Sequence, residues 1–455
     1  MDFLINLLLE SWFIYTVTFL LCVGLVFFYL RREKKKSEKV QKKIEEAKEL
    51  GRFEPLSLHP YIDLDLCIGS GACVKACPEE DIIGVVNGKA SVINSTSCIG
   101  HGACFHACPV EAISLRIGTE TRGVDLPHIQ PNYETNIPGI FIAGELGGMG
   151  LIKNSIEQGV QAVDFIAAQK KLTKENHLDL IIVGAGPAGI GAGMNAIKHG
   201  LSFEILEQDS LGGTVFTFPR EKVIMTRPVE LPIHGKVKFF NTSKQEVLTF
   251  WTDLIKKYNI IVREHTKVET ISPLLEGGFK IKASNGSEFR SQQILLALGR
   301  RGTPRKLDIP GEELPKVFYR LLEPEHFQNL DILVVGGGDS AVETALLLMM
   351  TNRVTLSYRG EKFSRIKPQN QKNLDQAIQD KNLQVILNSE AREITEDKVS
   401  LWLKELDQIQ ELANDRIFIF AGGELPLPFL KSIGINVEKK FGKVVKVHKR
   451  KSQKA

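Results

Sequence analysis

An α/β protein is predicted, with two tandem units of strand, glycine-rich turn and helix, a cysteine-rich segment before them and one apolar helix at the start. Three observations predict it. Glycine-rich turns follow apolar strands at 184–189 and 336–341, six of the seven cysteines fall in two matching runs, and no charged residue occurs from Trp12 to Leu30. At 455 residues the chain is too long for one ordinary core, so several domains are expected. Apolar residues at 43% and charged residues at 25% exclude wholesale disorder.

The net charge of +4 hides an asymmetry: residues 31–43 carry +6, residues 439–455 carry +8, and the remainder carries −10. A nucleic-acid binder places positive charge on its folded body, so that class is disfavoured. Residues 1–31 read as a single-pass membrane anchor, since the uncharged run is long enough as a helix to cross about 30 Å of hydrocarbon. Arg31, Arg32, Lys34, Lys35 and Lys36 follow at once, which places the rest of the chain on the cytoplasmic side of a cell or inner membrane. A cleaved signal peptide fits less well. It wants a basic start and a small-residue cleavage site, whereas Asp2 and Glu10 stand here, and Phe27, Phe28 and Tyr29 run straight into basic residues. The run holds no histidine, so it reads as a tether and not a haem-bearing conduit, with Cys22 a small apolar residue. Residues 32–60 read as a charged linker whose solvated helix ends at Gly51 and Pro55. Residues 439–455 read as a basic tail, solvated or laid on anionic lipid.

The first chemistry lies in residues 61–117. Cys67-Ile-Gly-Ser-Gly-Ala-Cys73-Val-Lys-Ala-Cys77-Pro78 returns as Cys98-Ile-Gly-His-Gly-Ala-Cys104-Phe-His-Ala-Cys108-Pro109. Close spacing lets three thiolates converge on one inorganic core, glycine keeps the loop tight and proline turns the chain away. The segment resembles the two-cluster bacterial ferredoxin, whose C-x2-C-x2-C-x3-C-P run gives its fourth cysteine to the other cluster. That resemblance implies a small α+β domain with two iron–sulfur clusters, one on Cys67, Cys73 and Cys108, the other on Cys98, Cys104 and Cys77. The second ligand of each run is missing: Ser70 and His101 stand there. Three outcomes are open. Each site holds a 3Fe-4S cluster on three thiolates, or a 4Fe-4S cluster whose odd iron takes the Ser70 hydroxyl or His101 imidazole, or no metal. A neutral imidazole would raise the potential relative to thiolate. Zinc or buried thiols would not explain why both runs keep three ligands in ferredoxin order. His106 falls outside the frame and reads as a surface residue.

In the next segment, strand Leu178-Asp-Leu-Ile-Ile-Val183 meets the turn Gly184-Ala-Gly186-Pro-Ala-Gly189, and a second strand ends at Glu207. This is the dinucleotide-binding (Rossmann) fingerprint in its context of strand, turn, helix, strand and acid. The glycines admit a pyrophosphate to backbone N–H groups at a helix N-terminus, and Glu207 can accept both ribose hydroxyls. The pattern recurs as Leu330-Asp-Ile-Leu-Val-Val335, then Gly336-Gly-Gly338-Asp-Ser340-Ala341, with Arg359 ending the second strand and Arg365 shortly after. Cations there suit a 2′-phosphate, so NADP is preferred and NAD is the alternative.

Two such units, with Leu211-Gly212-Gly213-Thr214 and Leu296-Ala-Leu-Gly-Arg300, resemble the thioredoxin-reductase family of flavoproteins. Phe218-Pro-Arg-Glu-Lys222 and Arg359-Gly-Glu-Lys-Phe-Ser364 resemble its bacillithiol-disulfide-reductase branch. The resemblance implies FAD on residues 171–300 and NAD(P) on 301–415, with 416–438 returning to the FAD domain through Ile417-Phe-Ile-Phe-Ala-Gly-Gly423. The family's closing piece, a strand, Ala-Gly-Asp and a glycine-led helix facing the flavin, comes last in its chains. Here it is matched upstream by Thr135-Asn-Ile-Pro-Gly-Ile-Phe-Ile-Ala-Gly144-Glu145, followed by Gly147, Gly148 and Gly150. Residues 118–170 are therefore expected to complete a permuted FAD domain, with Glu145 in place of Asp. No cysteine follows Cys108, so the C-x-x-C pair of thioredoxin reduction is missing. His177, His199 and His234 are scattered and read as ordinary satisfied histidines.

The resulting expectation is a membrane-anchored oxidoreductase moving electrons between NAD(P)H, FAD and iron–sulfur clusters. No side chain is assigned as catalytic, because hydride transfer needs no acid or base. Its partners are the membrane and an electron acceptor or donor of unspecified kind, with a homodimer left open and no nucleic acid. Competing readings are a non-catalytic redox sensor at the membrane and a low-molecular-weight disulfide reductase.

Overall fold

The computed structural model describes residues 2–49, 51, 53–55, 58–79, 81–96, 98, 100, 102–147, 151–169, 177–216, 223–224, 228–238, 242–300, 303–364 and 366–446. They fold as two compact units. One runs to Thr119 and resumes at Lys443; the other is Glu120–Gly442.

The first unit opens with a single helix, Asp2–Glu49. Its side chains at Trp12 and 14–30 are exposed, and among the described residues this is the one helix long and apolar enough to cross a membrane. The expected solvated linker differs in the structure. The helix continues unbroken through residues 32–49 and lays a stripe of Ser37, Val40, Ile44 and Ala47, spaced three and four apart, on the unit's body. Ala47 is buried. Lys43 pairs with Asp81 at 2.6 Å, and Ser37 Oγ both accepts from the Asn87 N–H (3.0 Å) and donates to Asn87 Oδ1 (3.2 Å). The helix stops where Gly51, at φ +68°, returns its N–H to the Lys48 carbonyl.

Asn87 belongs to a tight hairpin of Ile83–Val86 against Lys89–Val92, closed by Asn87-Gly88 with both residues at positive φ, the type I′ turn that this dipeptide favours. Two five-residue helices, Ala72–Ala76 and Ala103–Ala107, carry the middle of each cysteine run and pack on each other. A three-stranded antiparallel sheet completes the unit, with Leu58–Ile62, Ile113–Ile117 and Lys443–Lys446 side by side. The last strand lies in what the sequence suggests is a basic tail. Its sequence is Lys-Val-Val-Lys, and Lys443, Val444 and Lys446 take register with Ile117, Arg116 and Leu115, with a shift in register between Val444 and Lys446.

The second unit holds two doubly covered sheets. In the first, strands Leu178–Val183, Phe203–Leu206 and Val262–Arg263 run parallel beside Glu288–Leu296, and an antiparallel pair, Phe279–Ala283 and Val268–Pro273, extends it. Strand Ile140–Ile142, from the segment upstream of the glycine turn, pairs parallel with Ile294–Leu296. The helices Ile152–Ala168 and Pro187–Lys198 pack together; Asn195 Nδ2 donates to the Val160 carbonyl and to Asp164 Oδ1, both at 2.8 Å. Cores of aliphatic residues cover both faces.

The second sheet is five parallel strands in the order Val317–Phe318, Arg416–Ile419, Asp331–Val335, Arg353–Ser357, Gln384–Ile386, with a small antiparallel sheet from Ser389–Ile394, Lys398–Leu403 and Gln408–Ala413. Strand Arg416–Ile419 therefore belongs to this sheet and is not the start of the return. Its residues Ile417, Phe418 and Ile419 read as a strand in either setting, and only the pairing partner decides. The chain returns from Gly423 on: helix Leu427–Ser432 buries Leu430 in the first sheet's core, and Val437–Lys440 pairs with Val124–Pro127.

Ala47→Arg drives a long charged side chain into the seat of the N-terminal helix. The expected outcome is a loss of about 2 kcal/mol from the first unit, with amides 33–49 losing hydrogen-exchange protection while the second unit's protection stays unchanged.

Candidate functional site

A cavity of about 630 Å³ opens at the carboxyl ends of the first sheet of the second unit. Gly184, Gly186, Glu207, Gly213 and Thr214 line it from the fingerprint side, and Gly144 and Glu145 from the upstream segment. Strand Ile140–Ile142 points its end into the cavity, Gly144 (φ +86°) turns there, and its N–H donates to Gln158 Oε1 at 2.9 Å. Ile152 and Ser155, in the first turn of the following helix, complete that wall.

The glycine turn explains its own composition. A Cβ on Gly189 would lie 1.9 Å from the Gly184 carbonyl, so helix and turn close only without one. A Cβ on Gly186 would meet no protein atom within 4 Å. It would instead project into the cavity, so the backbone there is left bare for a ligand. Glu207 is buried at the end of its strand. Its Oε2 accepts from the Ala185 N–H at 2.7 Å and its Oε1 from the Asp209 N–H at 3.0 Å. Burial raises its pKa above the ordinary 4.5, outweighing the pull of those amides. The raised value means that its contribution to stability is greatest below about pH 4.5 and is lost as pH rises through the folded-state pKa. These features fit a dinucleotide whose pyrophosphate lies on the turn and whose ribose faces Glu207.

The second glycine turn, Gly336 to Gly338, leads into helix Asp339–Leu348, and Ser340 stands exposed in its first turn. A Cβ on Gly338 would likewise meet nothing. The Tyr358 ring lies against Gly337 and stacks on Phe363 at 5.1 Å. Arg359 is exposed on a backbone held from several sides: Tyr358 N–H donates to the Ile386 carbonyl (2.9 Å) and Asn388 N–H to that of Gly360 (3.2 Å). Lys404 reaches in from the small sheet, its Nζ 3.4 Å from the Arg359 carbonyl and 2.7 Å from Glu390. Arg365 lies outside the described residues, as do Gly148, Gly150 and 218–222.

In the first unit the cysteines sort into two groups. Cys73 interacts with Cys67 and Cys108; Cys104 interacts chiefly with Cys98 and Cys77, and Cys98 with Cys77. Cys67, Cys73 and Cys108 also line a small cavity together with Ser70. His101 lies outside the described residues, so only the first group has its fourth position in view. Gly69 (φ +68°) and Gly100 (φ +75°) sit at matching points of the two loops, where a Cβ would strike the Gly88 carbonyl at 2.0 Å and the Leu58 carbonyl at 2.7 Å. Main-chain N–H groups point at sulfur: Ala90 donates to Cys67 Sγ and Ala112 to Cys108 Sγ, each at 3.3 Å. Burial pushes the Cys98 thiol up to about 11 and that of Cys104 up to about 12, so deprotonation there is coupled to binding a cation. Among the described residues no three His, Cys, Asp or Glu side chains converge tightly enough for one metal ion. Three cysteines and Ser70 around one small cavity fit a polynuclear core in which each iron takes one protein ligand.

His106 is exposed, and the three scattered histidines singled out in the sequence are satisfied: His177 meets Gln292 Nε2 at 3.0 Å, His199 meets Asp164 at 2.8 Å and His234 meets the Tyr258 hydroxyl at 3.3 Å. Several cavity residues have no motif to announce them. Arg320, paired with Asp209 at 3.0 Å, and Phe429 and Ser432 of the returning helix line it from far along the chain. Gln158 is legible only once the upstream helix is known to face the glycine turn.

Comparison with known proteins agrees with these features. A family described as pyridine nucleotide-disulphide oxidoreductase matches residues 181–452, and one described as 4Fe-4S dicluster domain matches residues 59–109. Bacilliredoxin reductase Bdr of Bacillus subtilis is 27% identical over 269 residues, 58% of this chain and 82% of its own. A ferredoxin–NADP reductase of Thermus thermophilus is 31% identical over 280 residues, 59% of this chain and 80% of its own. Among solved structures, bacillithiol disulfide reductase Bdr from Staphylococcus aureus is 23% identical with a TM-score of 0.49, covering 59% of this chain and 85% of that one. Lactococcus lactis thioredoxin reductase is 26% identical with a TM-score of 0.44, covering 56% and 81%.

Two of the three fingerprint glycines predict opposite outcomes. Gly186→Ala should melt within about 0.5 kcal/mol of the parent yet purify without flavin absorbance. Gly189→Ala should lose several kcal/mol through the clash with the Gly184 carbonyl, read as a lowered melting temperature.

Proposed function

Because this chain belongs to the pyridine nucleotide-disulphide oxidoreductase family and carries a 4Fe-4S dicluster domain, we propose that it is a membrane-anchored electron-transfer enzyme. In this reading it moves electrons among NAD(P)H, FAD and two iron–sulfur clusters to an acceptor outside the chain. The observation that carries it is the meeting of Gly144 and Glu145 with Gly184, Gly186 and Glu207 around one cavity, although 38 residues lie between Glu145 and Gly184. That arrangement supports FAD as the occupant. Gly184, Gly186, Gly213 and Thr214 would hold its pyrophosphate, Glu207 would hold the adenosine ribose, and Glu145 would accept from a ribityl hydroxyl.

Bound in these places, the flavin supplies hydride acceptance and the clusters supply single-electron transfer. The chain's own residues bind and orient. Gly336, Gly338 and Ser340 present backbone and hydroxyl donors to the pyrophosphate of the nicotinamide cofactor. Arg359, with Arg365, presents charge to a 2′-phosphate, which supports NADP over NAD, as does the likeness to a ferredoxin–NADP reductase. Cys67, Cys73 and Cys108 hold one cluster, with the Ser70 hydroxyl in its cavity wall supporting a fourth, oxygen ligand. Cys77, Cys98 and Cys104 hold the other, with His101 as its fourth ligand. Within this sequence no cysteine follows Cys108, which favours clusters over a thiol pair as the onward route. The exposed apolar helix followed by Arg31, Arg32 and Lys34 supports single-pass anchoring with both units on the cytoplasmic side.

Anaerobic visible and EPR spectra before and after NADPH test this directly. Flavin bleaching followed by an iron–sulfur signal is expected; colourless protein with neither iron nor flavin would sink the proposal. Arg359→Ala should raise the KM for NADPH about 10-fold or more, the worth of a charge-assisted contact, and leave NADH turnover unchanged. Deleting residues 2–31 should move the protein from the membrane pellet to the supernatant with its NADPH oxidation intact.

A further inference from the structure

Lys89 is the first residue of the strand Lys89–Val92, directly after the Asn87-Gly88 turn. The tip of this hairpin is seated on the first cysteine loop. The Gly88 carbonyl lies so close to Gly69 that a Cβ there would sit 2.0 Å from it, and the Ala90 N–H donates to Cys67 Sγ at 3.3 Å. From this seat the Lys89 ammonium donates to the carbonyl of Cys67 at 2.7 Å and to that of Leu64 at 2.9 Å. Among the described residues it makes no ion pair. A lysine on a hairpin ordinarily extends into water or meets a carboxylate. Lys89 stays exposed to solvent, yet its ammonium is tied by these two hydrogen bonds to the main chain around buried Cys67, which lines a cavity with Cys73, Cys108 and Ser70.

Reduction adds one negative charge to an iron–sulfur cluster, so fixed positive charge and N–H donors near its sulfurs favour the reduced form and raise its potential. The first group of cysteines has both: Lys89, and the N–H groups of Ala90 and Ala112 aimed at Cys67 and Cys108. Beside the second group the nearby charge has the opposite sign, since Glu79 lies close to Cys77 and Cys98. We propose that Lys89 sets the reduction potential of the cluster held by Cys67, Cys73 and Cys108, raising it through the charge it fixes on the Cys67 loop. This rests on the reading of that group as a cluster site.

The test is a potentiometric EPR titration of the full chain, purified anaerobically, with iron and sulfide assayed on the same samples. Lys89→Gln keeps donors for both carbonyls and removes the charge; Lys89→Arg keeps the charge. The expected result is that Lys89→Gln moves one midpoint to lower potential and leaves the other in place at unchanged iron content, whereas Lys89→Arg shifts it less. Val86 is the cross-strand partner of Lys89, so Val86→Glu sets a carboxylate beside the ammonium without removing its hydrogen bonds. It should lower the same midpoint, and it decides the matter if Lys89→Gln loses iron. Midpoints unchanged in Val86→Glu and in iron-replete Lys89→Gln, or an equal shift of both clusters, overturn the proposal. Parent protein without iron would instead remove the cluster reading beneath it, before any variant is compared.

Discussion

Three residues of parallel pairing hold the flavoprotein half of the molecule together as a site. Ile140, Phe141 and Ile142 lie beside Ile294, Leu295 and Leu296, all six essentially inaccessible to water, and the register continues as the Ala143 N–H donates to the Leu296 carbonyl at 3.1 Å. Burying side chains of this size contributes about 1.5–3 kcal/mol each, enough to dock a segment that the chain order places before the domain it completes. Everything at the far wall of the cavity follows from that docking. Gly144 turns there only because the strand ends there, Glu145 follows it, and the helix Ile152–Ala168 can lie against Pro187–Lys198 only because its entry point is fixed. Removal of the pairing would leave the fingerprint glycines facing an open trough.

Much of this was legible in the sequence because its determinants are local. Glycine spacing, the apolar strands before the turns and the acid at Glu207 all report contacts within about 25 residues, and the structure brings Gly184, Gly186 and Glu207 to one cavity. The upstream segment was legible by resemblance alone: a three-residue strand followed by Ala-Gly-Glu has no periodicity to identify its partner. What stayed illegible is non-local. Arg416–Ile419 is equally good as an edge or a central strand, and the choice between sheets is made by Asp331–Val335, some 80 residues earlier. Arg320, Lys404 and Phe429 reach their places through folding of distant elements and carry no motif.

The cysteine unit shows the same division. The repeat dictates two loops, and each loop is closed by its glycine against a carbonyl from elsewhere in the unit: Gly69 against Gly88, Gly100 against Leu58. What the repeat could not indicate is that its sheet is finished by residues 443–446. The chain thus leaves this unit at Thr119, builds the whole second unit, and returns to donate a strand. Lysines at 443 and 446 make that strand look like tail by composition, yet backbone pairing needs only a free edge, and Ile113–Ile117 offers one.

The charged stretch after the apolar run is the clearest case of composition misdirecting the reading. Lysine and glutamate dominate residues 32–49, which is the pattern of a solvated helix, but the four residues that matter are Ser37, Val40, Ile44 and Ala47, and their spacing is a packing stripe. Ser37 ties the helix to Asn87 at the hairpin turn, Lys43 ties it to Asp81 just before the hairpin, and the same hairpin grips the Cys67 loop through Gly88, Lys89 and Ala90. The path from the apolar segment to Cys67 is therefore continuous helix, then two residues of turn, then one lysine. Because a helix advances 100° per residue, inserting a single residue at 32–36 would rotate the apolar segment relative to the stripe. Residues 32–49 therefore dock the helix on the cysteine unit in one rotational setting, and the length of this stretch is fixed by geometry and not by reach.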